Sequence, residues 1–577
     1  MRVPFTAVVQ IDGHRWLSFS RPRLVLQADT AAAVRSTLVD VEHLTRDRGL
    51  HAVGFLAYEA GAAFGLEVRP EPPDVPLAWF GLFDPSDVEP CEGPREFGPY
   101  CVADVVPTLD RAEFTAAFDA IHEHLADGDT YQANFTFALQ GRFEGDPRSL
   151  WADLVAAQGG QYSAYIDLGR LVIGSASPEL FFQCVGAEFE ARPMKGTAKR
   201  GRTTAEDRAV ASALVESPKE RAENVMVVDM VRNDLGRVAD TGSVGVPELF
   251  RLERFPHVWQ MTSVVRAQSR APLDQIVAAL FPCASITGAP KVRTMSLLAG
   301  LEQVPRGVYT GAIGHIAPTG DARFNVAIRT AVVDRDAGTV RFGVGSGIVW
   351  DSEADAEYGE CLLKGAVLGR RAASFELLET LLWTPEQGYH LLERHLARML
   401  DSADYFGVPV RSTDLRNSLA GEVAGAVTPR RVRLLVNRSG QPRTESTNHV
   451  PWPEPVPVAL AAHPVDSTDV FLRHKTTCRG VYEQALQGRT GVRDVLLWNE
   501  RGELTESTFA NFVVERDGQR VTPPVSCGLL AGTFRQALID AGELREAIVT
   551  RDDLDTASAL WLINSVQGWK RAEVVGR

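Results

Sequence analysis

The sequence changes its pattern once, after Gly369, and this break limits what the chain can fold into. A glycine-rich turn from Gly343 leads into a charged helical stretch that ends near Gly369. Arg370, Arg371, Ala372, Ala373 and Ser374 then precede a different pattern that begins at Phe375. At 577 residues the chain is too long for one compact core. We therefore predict two domains, residues 1–370 and 375–577.

Both halves mix helix and strand patterns without strict alternation, which predicts an α+β fold class. The predicted helices are Ala112–Ala126 and Pro218–Arg232. The predicted strands are Tyr162–Leu168, Leu171–Ser175, Glu179–Cys184, Phe324–Ile328, Asp494–Asn499 and Asn511–Glu515. Asp517-Gly518 after the last of these is a hairpin signal.

Charge and cysteine usage limit the partners and the compartment. The formal net charge of −14 argues against nucleic acid or an anionic membrane as a partner. The seven cysteines form no CxxC pair, which is typical of reduced thiols in a cytoplasmic protein. No apolar run approaches the roughly 18 residues of a membrane span. Asp12, His14 and Arg15 also interrupt any signal-peptide pattern.

Carboxylates on two predicted helices suggest a cation site. Glu353, Glu357, Glu360 and Lys364 share one helix face, which in isolation also fits a solvated, salt-bridged surface. Glu223 lies on an apolar helix face, where a carboxylate needs a partner. A divalent cation that bridges Glu223 and Glu360, with Glu357 as a further ligand, would satisfy them, and hard oxygen ligands favour Mg²⁺.

Several segments of the first half resemble, in order, the signatures of chorismate-utilising enzymes. These segments are Ser175–Glu179, Arg192–Thr197, Glu223–Asp229 with Arg232–Arg237, Thr287–Lys291 and Gly343–Ile348. The resemblance covers most of residues 50–368 and implies an anthranilate-synthase-like sandwich fold. The family includes anthranilate, aminodeoxychorismate, isochorismate and salicylate synthases, so membership alone leaves the reaction open.

Two positions narrow the reaction. Lys195 stands where aminodeoxychorismate synthases carry a lysine and anthranilate synthases usually carry alanine, and the resemblance implies that it attacks ring C2. Gln132 stands near the lysine by which the water-using relatives activate water, and an amide cannot act as that base. We therefore expect amination of chorismate at C4.

The resemblance assigns further roles around the ring. Glu179 is the candidate general acid for the leaving 4-hydroxyl. His257 is either a packed residue or a catalytic one. Substrate-binding roles are expected for Arg329, Tyr309, Lys291, Thr287, Gly343, Gly345, Gly347 and Lys364. No glutaminase signature is present, which implies a separate glutamine amidotransferase that delivers ammonia.

Five segments of the second half together resemble the class IV pyridoxal-phosphate enzymes. They are Phe375–Leu381, Glu393–Arg398, His474–Arg479, Glu503–Asn511 and Gly528–Arg535. The resemblance implies pyridoxal 5'-phosphate as cofactor, with Lys475 as its covalent attachment point and base, and Glu506 at its ring nitrogen. Further cofactor-binding roles are expected for Arg398, Leu529, Thr533, Phe534 and Ser565.

Class IV enzymes include aminotransferases and aminodeoxychorismate lyase, and the neighbouring domain favours the lyase. The expected protein is thus a bifunctional enzyme of para-aminobenzoate synthesis, with a C-terminal domain through which relatives dimerise. Two alternatives stay open: an anthranilate-type synthase joined to a true aminotransferase, and a non-catalytic scaffold that binds a glutaminase. Cys478 occupies a place where relatives often have asparagine, and the extra N-terminal strand of free-standing relatives is missing.

Overall fold

The computed structural model describes residues 6–13, 15–69, 74–94, 97–369, 371, 375–516 and 518–575. The chain forms two compact units, one of Met1–Arg200 with Ala211–Ala372 and one of Gly201–Val210 with Ala373–Arg577. The predicted boundary residues 370 and 372–374, and Asp517 of the predicted hairpin turn, lie outside the described residues. None of the helices in these ranges combines the length and hydrophobicity that a membrane crossing requires.

The first unit is built from two large sheets. Its strands are β1 Thr6–Gln10, β2 Trp16–Ser20, β3 Leu24–Ala28, β4 His51–Leu56, β5 Ala78–Phe83, β6 Val88–Cys91, β7 Tyr100–Pro107, β8 Gln132–Gly145, β9 Ala164–Asp167, β10 Leu171–Ser175, β11 Leu180–Val185, β12 Glu188–Ala191, β13 Met194–Lys199, β14 Gly245–Arg254, β15 Val258–Gln268, β16 Gly288–Ala289, β17 Ala312–Ile316, β18 Ala322–Val326, β19 Thr330–Asp334 and β20 Thr339–Ile348. One sheet has the order β16-β8-β20-β19-β10-β9-β1-β2-β6, with β7 beside β8. The other has the order β13-β15-β12-β11-β18-β17-β4-β5-β3, with β14 beside β15.

Helices cover the outer faces of these sheets. The helices up to residue 365 are α1 Ala31–Arg48, α2 Arg111–Ala126, α3 Pro147–Gln158, α4 Thr204–Glu216, α5 Pro218–Gly236, α6 Leu273–Leu280, α7 Lys291–Leu301 and α8 Ala354–Gly365. Residues of α1, α5 and α6 share an apolar core with the second sheet, and residues of α2, α3 and α8 share one with the first. A third core, which includes Phe19 and Phe55, joins the inner faces of the two sheets. The unit is therefore a layered α/β sandwich.

Local sequence signals explain where the helices that matter for the site begin. Asp110 and Glu113 form a reciprocal capping box at the start of α2. Ser217 caps α5, and Pro218 occupies its first turn, where the missing N–H costs no hydrogen bond. Both predicted helices are confirmed, and α5 extends four residues beyond the predicted end to Gly236.

Two histidines lie together in the second sheet. His51 on β4 and His315 on β17 approach to 2.9 Å between Nδ1 and Nε2, and their rings stack with centroids 5.2 Å apart. Phe19 packs against both rings. Burial lowers the pKa of His51, and it lowers the pKa of His315 to about 3. Both rings are therefore neutral at neutral pH.

The second unit contains a small antiparallel sheet and a larger mixed sheet. Its strands are β21 Leu377–Thr384, β22 Gly388–Tyr389, β23 Arg430–Val436, β24 Pro442–Asn448, β25 Val456–Leu460, β26 Asp494–Trp498, β27 Leu504–Ser507, β28 Asn511–Arg516, β29 Gln519–Thr522, β30 Arg545–Glu546, β31 Ala559–Asn564 and β32 Gly568–Val574. The helices after residue 375 are α9 Leu392–Phe406, α10 Ser412–Glu422, α11 Gly480–Leu486, α12 Thr533–Asp540 and α13 Asp553–Thr556.

The small sheet has the order β22-β21-β23-β24 and shares its core with α9 and α10. The larger sheet has the order β27-β26-β25-β32-β31-β28-β29-β30, with parallel pairs at β25/β26, β25/β32 and β29/β30. The α+β class predicted for both halves is therefore confirmed.

Candidate active sites

The first site is centred on Lys195 in β13. The pairing of β13 with β15 shifts register between Met194 and Thr197, so Lys195 lies in an irregular stretch that can direct its side chain out of the regular ladder. Asn224 on α5 donates to the Lys195 carbonyl at 3.0 Å. Ser263 donates to Asn224 Oδ1 at 2.6 Å, so helix and strand together fix this irregular backbone.

Carboxylates surround the Lys195 amine. Burial lowers the pKa of Lys195, while the charge of Glu223 opposes the shift, Lys364 adds to it, and Glu179 and Glu360 oppose it. A lowered pKa increases the fraction of neutral amine, which is the nucleophilic form. Four predicted residues thus lie close enough to Lys195 to influence its protonation.

Glu179 lies in the segment that connects β10 with β11 and is only 3% exposed. Burial raises its pKa to about 7, although the hydroxyl of Ser285 and the charge of Lys195 favour the ionised form. Ser285 Oγ donates to Glu179 Oε1 at 2.6 Å. A carboxyl group with this pKa is partly protonated at neutral pH and can donate a proton.

Helix α8 contributes a cation at the glycine-rich strand β20. The Lys364 ammonium lies 2.6 Å from Glu360 Oε1 and donates to the Gly345 carbonyl at 2.9 Å. Arg329 donates to the Lys364 carbonyl at 3.0 Å. Burial lowers the pKa of Arg329, and Tyr309 and Glu360 oppose that shift. A buried guanidinium in this setting is suited to bind a carboxylate.

The glycines of β20 allow side chains to approach its backbone. A Cβ atom on Gly343 would lie 2.1 Å from Cγ of the Tyr309 ring, and one on Gly347 would lie 2.7 Å from Lys195 Nζ. Gln132 Nε2 is 3.3 Å from the same Gly347 position. Gln132 is buried, and its Oε1 has no hydrogen-bond partner among the described residues. The predicted residues Gly343, Gly347, Tyr309 and Lys195 therefore border one region.

Glu220 joins the predicted metal ligands Glu223 and Glu360. Burial raises the pKa of Glu220, and the charges of Glu223 and Glu360 add to the shift. Glu357, the third predicted ligand, accepts a hydrogen bond from Ser352 at 2.7 Å. Within the described ranges no group of three or more His, Cys, Asp and Glu side chains is arranged to hold a metal. The oxygen donors of Glu223 and Glu360 nevertheless suit Mg²⁺ in kind.

Two predicted anion contacts are engaged within the protein. The Lys291 ammonium lies 2.6 Å from Asp234 Oδ2 and donates to the Leu280 carbonyl at 3.0 Å. The Thr287 hydroxyl donates to carbonyls of its own turn. His257 is exposed just before β15, where its carbonyl accepts the backbone N–H of residue 200. The structure therefore joins none of these three side chains to Lys195.

The second site is centred on Lys475. Burial lowers its pKa to about 8, Arg398 and Arg479 act in the same direction, and Glu379 and Glu506 oppose the shift. An amine with this pKa exchanges its proton readily near neutral pH. The structure thus places predicted Lys475, Arg398 and Glu506 within electrostatic reach of one another.

Glu506 on β27 is buried, with hydrogen-bond donors on both carboxylate oxygens. Tyr482 Oη donates to Oε1 at 2.8 Å, and the Leu530 backbone N–H donates to the same atom at 3.3 Å. Asn511 Nδ2 donates to Oε2 at 3.4 Å. Burial raises the pKa of Glu506 to about 7 in spite of these donors.

Arg398 on α9 connects to the start of α12. Its Nε and Nη2 donate to the two oxygens of Glu379 at 2.8 and 2.7 Å, and its Nη1 donates to the Ala531 carbonyl at 2.9 Å. His395 lies between Glu379, at 2.7 Å, and the Thr533 hydroxyl, at 3.2 Å. Burial alone would raise the pKa of Glu379, but Arg398 and His395 hold it well below its usual range.

The remaining predicted cofactor residues lie near this network in sequence. Thr533 and Phe534 are the first residues of α12, whose N-terminal N–H groups suit a phosphate. Leu529 and Ser565 are both buried. The lysine, a carboxylate and a helix start therefore match in kind what pyridoxal phosphate requires. The Cys478 N–H bonds to the Thr476 hydroxyl at 3.2 Å, so its backbone is satisfied locally.

Two family models match the chain, one described as chorismate binding enzyme over residues 97–370 and one described as amino-transferase class IV over residues 376–573. The chain belongs to both families, one in each part. Both family assignments from the sequence motifs are thereby confirmed.

Curated relatives match the chorismate-binding part. The chain is 37% identical over 344 residues to an aminodeoxychorismate synthase of Streptomyces pristinaespiralis, which covers 58% of this chain and 47% of the relative. It is 38% identical over 261 residues to anthranilate synthase component 1 of Aquifex aeolicus, with coverages of 45% and 52%. The chain thus spans about half the length of these relatives, whose names give two different reactions.

A solved structure supports the fold of the chorismate-binding part. Anthranilate synthase component I from Streptococcus pneumoniae aligns with a TM-score of 0.51 at 23% identity, and the alignment covers 64% of this chain and 93% of that chain. The chorismate-binding fold predicted for the first half is confirmed.

Sequence reasoning missed several residues of the two family sites. Glu220 lies three residues before Glu223, a spacing that places both on one face of α5 and could have revealed it. Glu379 and His395 lie inside motifs that carry the class IV resemblance, but a motif does not say which of its members pair. Ser285 and Tyr482 meet Glu179 and Glu506 only through the tertiary fold.

Proposed function

We propose that the chain converts chorismate to 4-aminobenzoate in two reactions. Residues 1–370 aminate chorismate at C4 to give 4-amino-4-deoxychorismate, and residues 375–577 eliminate pyruvate from that product. The observation that carries the first assignment is the buried Lys195 amine, with its lowered pKa, in one site with the acid Glu179. Lysine at this position distinguishes C4 amination from the anthranilate reaction.

In the first reaction, the neutral Lys195 amine bonds to ring C2 while the C4–oxygen bond breaks. Glu179 protonates the departing hydroxyl, which leaves as water. Ammonia then bonds to C4 as the bond from C2 to Lys195 breaks, and the double bond returns. Arg329 and the Tyr309 hydroxyl bind the enolpyruvyl carboxylate. Glu223 and Glu360 would hold Mg²⁺, which would supply positive charge for the ring carboxylate.

The second reaction uses Lys475 as the base that removes the C4 proton of aminodeoxychorismate. The C3–oxygen bond then breaks, the ring becomes aromatic, and the released enol takes up a proton to become pyruvate. Pyridoxal phosphate, when bound, supplies a ring that accepts the electrons of the C4–H bond. Glu506 keeps the ring nitrogen protonated, and Arg398 with the first N–H groups of α12 binds the phosphate. The atoms balance without a second substrate.

The test is to incubate the purified chain with chorismate, an ammonium salt, Mg²⁺ and pyridoxal phosphate and to identify the products by mass spectrometry. We expect 4-aminobenzoate and pyruvate in equal amounts. Anthranilate would disprove the first assignment, and accumulation of aminodeoxychorismate with cofactor bound would disprove the second. Absence of any turnover would favour a scaffold.

We also propose that ammonia reaches the chain from a separate glutamine amidotransferase. Glutamine in place of the ammonium salt should then give no product until such a partner is added. Product from glutamine and the chain alone would contradict this part of the proposal.

A further inference from the structure

Tyr482 is a buried tyrosine that the proposed mechanism leaves without a role. It lies on α11, seven residues after Lys475, and is 7% exposed. Its hydroxyl donates to Glu506 Oε1 at 2.8 Å. The guanidinium carbon of Arg479 lies 4.4 Å from the centre of its ring, which is within cation–π range. Tyr482 is therefore held on one side by a cation and on the other by the carboxylate.

The hydrogen bonds to Glu506 are unequal. The Tyr482 bond is the shortest, whereas the Leu530 N–H reaches the same oxygen at 3.3 Å and Asn511 reaches Oε2 at 3.4 Å. A hydrogen bond near 2.8 Å to a carboxylate is a strong one, and bonds near the outer limit contribute less. Tyr482 thus fixes one carboxylate oxygen and leaves the other weakly engaged.

We propose that Tyr482 is a positioning residue for the second reaction: its hydroxyl orients Glu506 and favours its ionised form, so that Oε2 can pair with the ring nitrogen of a pyridine cofactor. This inference rests on the proposed function of residues 375–577. It assigns Tyr482 no contact with the cofactor itself, because the residue acts through Glu506.

Electrostatics explains why Glu506 needs this donor. Burial raises the pKa of Glu506 to about 7, so at neutral pH its ionised and protonated forms are close in free energy. The Tyr482 hydrogen bond, Lys475 and Arg479 all favour the ionised form. Burial and the nearby Glu506 charge raise the pKa of Tyr482 well above 10, so its hydroxyl remains a donor throughout the neutral range.

The test compares Tyr482→Phe with the unaltered full-length chain. Each protein is titrated with pyridoxal phosphate at several pH values, and the dissociation constant is read from the absorbance of the bound cofactor. Loss of a hydrogen bond to a charged group predicts roughly tenfold weaker binding near neutral pH. The difference should narrow at alkaline pH, because Glu506 is then ionised in both proteins.

The matched control is Tyr389→Phe, which removes a hydroxyl that donates to the Leu419 carbonyl at 2.7 Å in the same unit. We expect it to bind the cofactor like the unaltered chain. In a Glu506→Gln background, where residue 506 no longer ionises, Tyr482→Phe should cause no further pH-dependent loss. If thermal unfolding shows that Tyr482→Phe is not folded, Tyr482→Met provides a second side chain without a donor.

Unchanged affinity in Tyr482→Phe would overturn the inference. A loss of equal size at every pH would also overturn it, since that pattern indicates a packing role alone. If the unaltered chain does not bind pyridoxal phosphate at all, the proposed second activity fails first, and the positioning role fails with it.

Discussion

At the residue scale, the two acid–base groups of the chorismate site are moved toward neutrality from opposite ends of the pH range. Burial lowers the pKa of the Lys195 amine and raises the pKa of the Glu179 carboxyl, because both charged forms lose solvation. The same burial thus yields a nucleophile and an acid in one site. The Ser285 hydroxyl sets how far the carboxyl moves.

Replacing Glu179 tests its role as the acid. Glu179→Gln keeps the shape but cannot donate a carboxyl proton, so the rate of chorismate amination should fall about 10²–10⁴-fold. Initial rates with ammonium salt measure this. Glu253→Gln is the matched control, since Glu253 is also buried and also accepts a hydroxyl hydrogen bond, from Thr262 at 3.0 Å. A Glu179→Gln rate within tenfold of the unaltered rate would rule out the role.

Replacing Ser285 tests the control of that acid. Ser285→Ala removes a donor to the ionised form of Glu179, so the pKa of Glu179 should rise by about one unit. The protonated acid then persists to higher pH, and the alkaline limb of the amination rate should move upward by the same amount. Rates are compared across pH at a constant concentration of free ammonia. An unmoved alkaline limb would mean that Ser285 does not tune the acid.

At the element scale, strands β4 and β17 carry a pH-dependent contribution to stability. His315 has a folded pKa of about 3 against an unfolded value near 6.5, so the unfolded state binds the proton more tightly. The neutral pair is fully compatible with folding above about pH 6.5, and stability is lost as the pH falls from there toward 3. The cost for His315 alone is roughly 2 kcal/mol at pH 5.

This contribution is measured by urea unfolding of the unaltered chain and of His315→Gln at pH 7 and pH 5. The variant should lose less stability between these two pH values than the unaltered chain does. His43→Gln serves as control, because His43 is an exposed histidine paired with Asp47. An equal loss in all three proteins would show that the buried pair does not cause the acid sensitivity.

At the scale of the whole molecule, the proposal requires two sites that work independently. Lys475→Ala removes the cofactor attachment point in the second unit and leaves every residue named in the first unaltered. We expect the variant to lose the visible absorbance of bound cofactor, to keep consuming chorismate at the normal rate and to accumulate aminodeoxychorismate. Loss of both activities together would contradict two separate sites.

The sequence predicted families and motif residues better than contacts. Motifs place Lys195, Glu179, Lys475 and Glu506 correctly in their families because family signatures follow chemistry. They do not reveal that Lys291 pairs with Asp234, since that ion pair joins α5 to α7 across 57 residues. Likewise, periodicity gave strand β10 its true bounds but placed β9 two residues early, because Tyr162 is apolar enough to extend the pattern.

The hairpin of β19 and β20 extends the site to residues far from any chemistry. Asp334 opposes Thr339 at its turn, and Asp334 Oδ1 accepts the N–H groups of residues 336 and 337. Gly343, Gly345 and Gly347 alternate along β20 and so share one face of it. A slip of one residue at the turn would bring Val344, Ser346 and Ile348 to that face all at once. The tolerance of the site to insertions is therefore all-or-none, and it is decided at a surface turn.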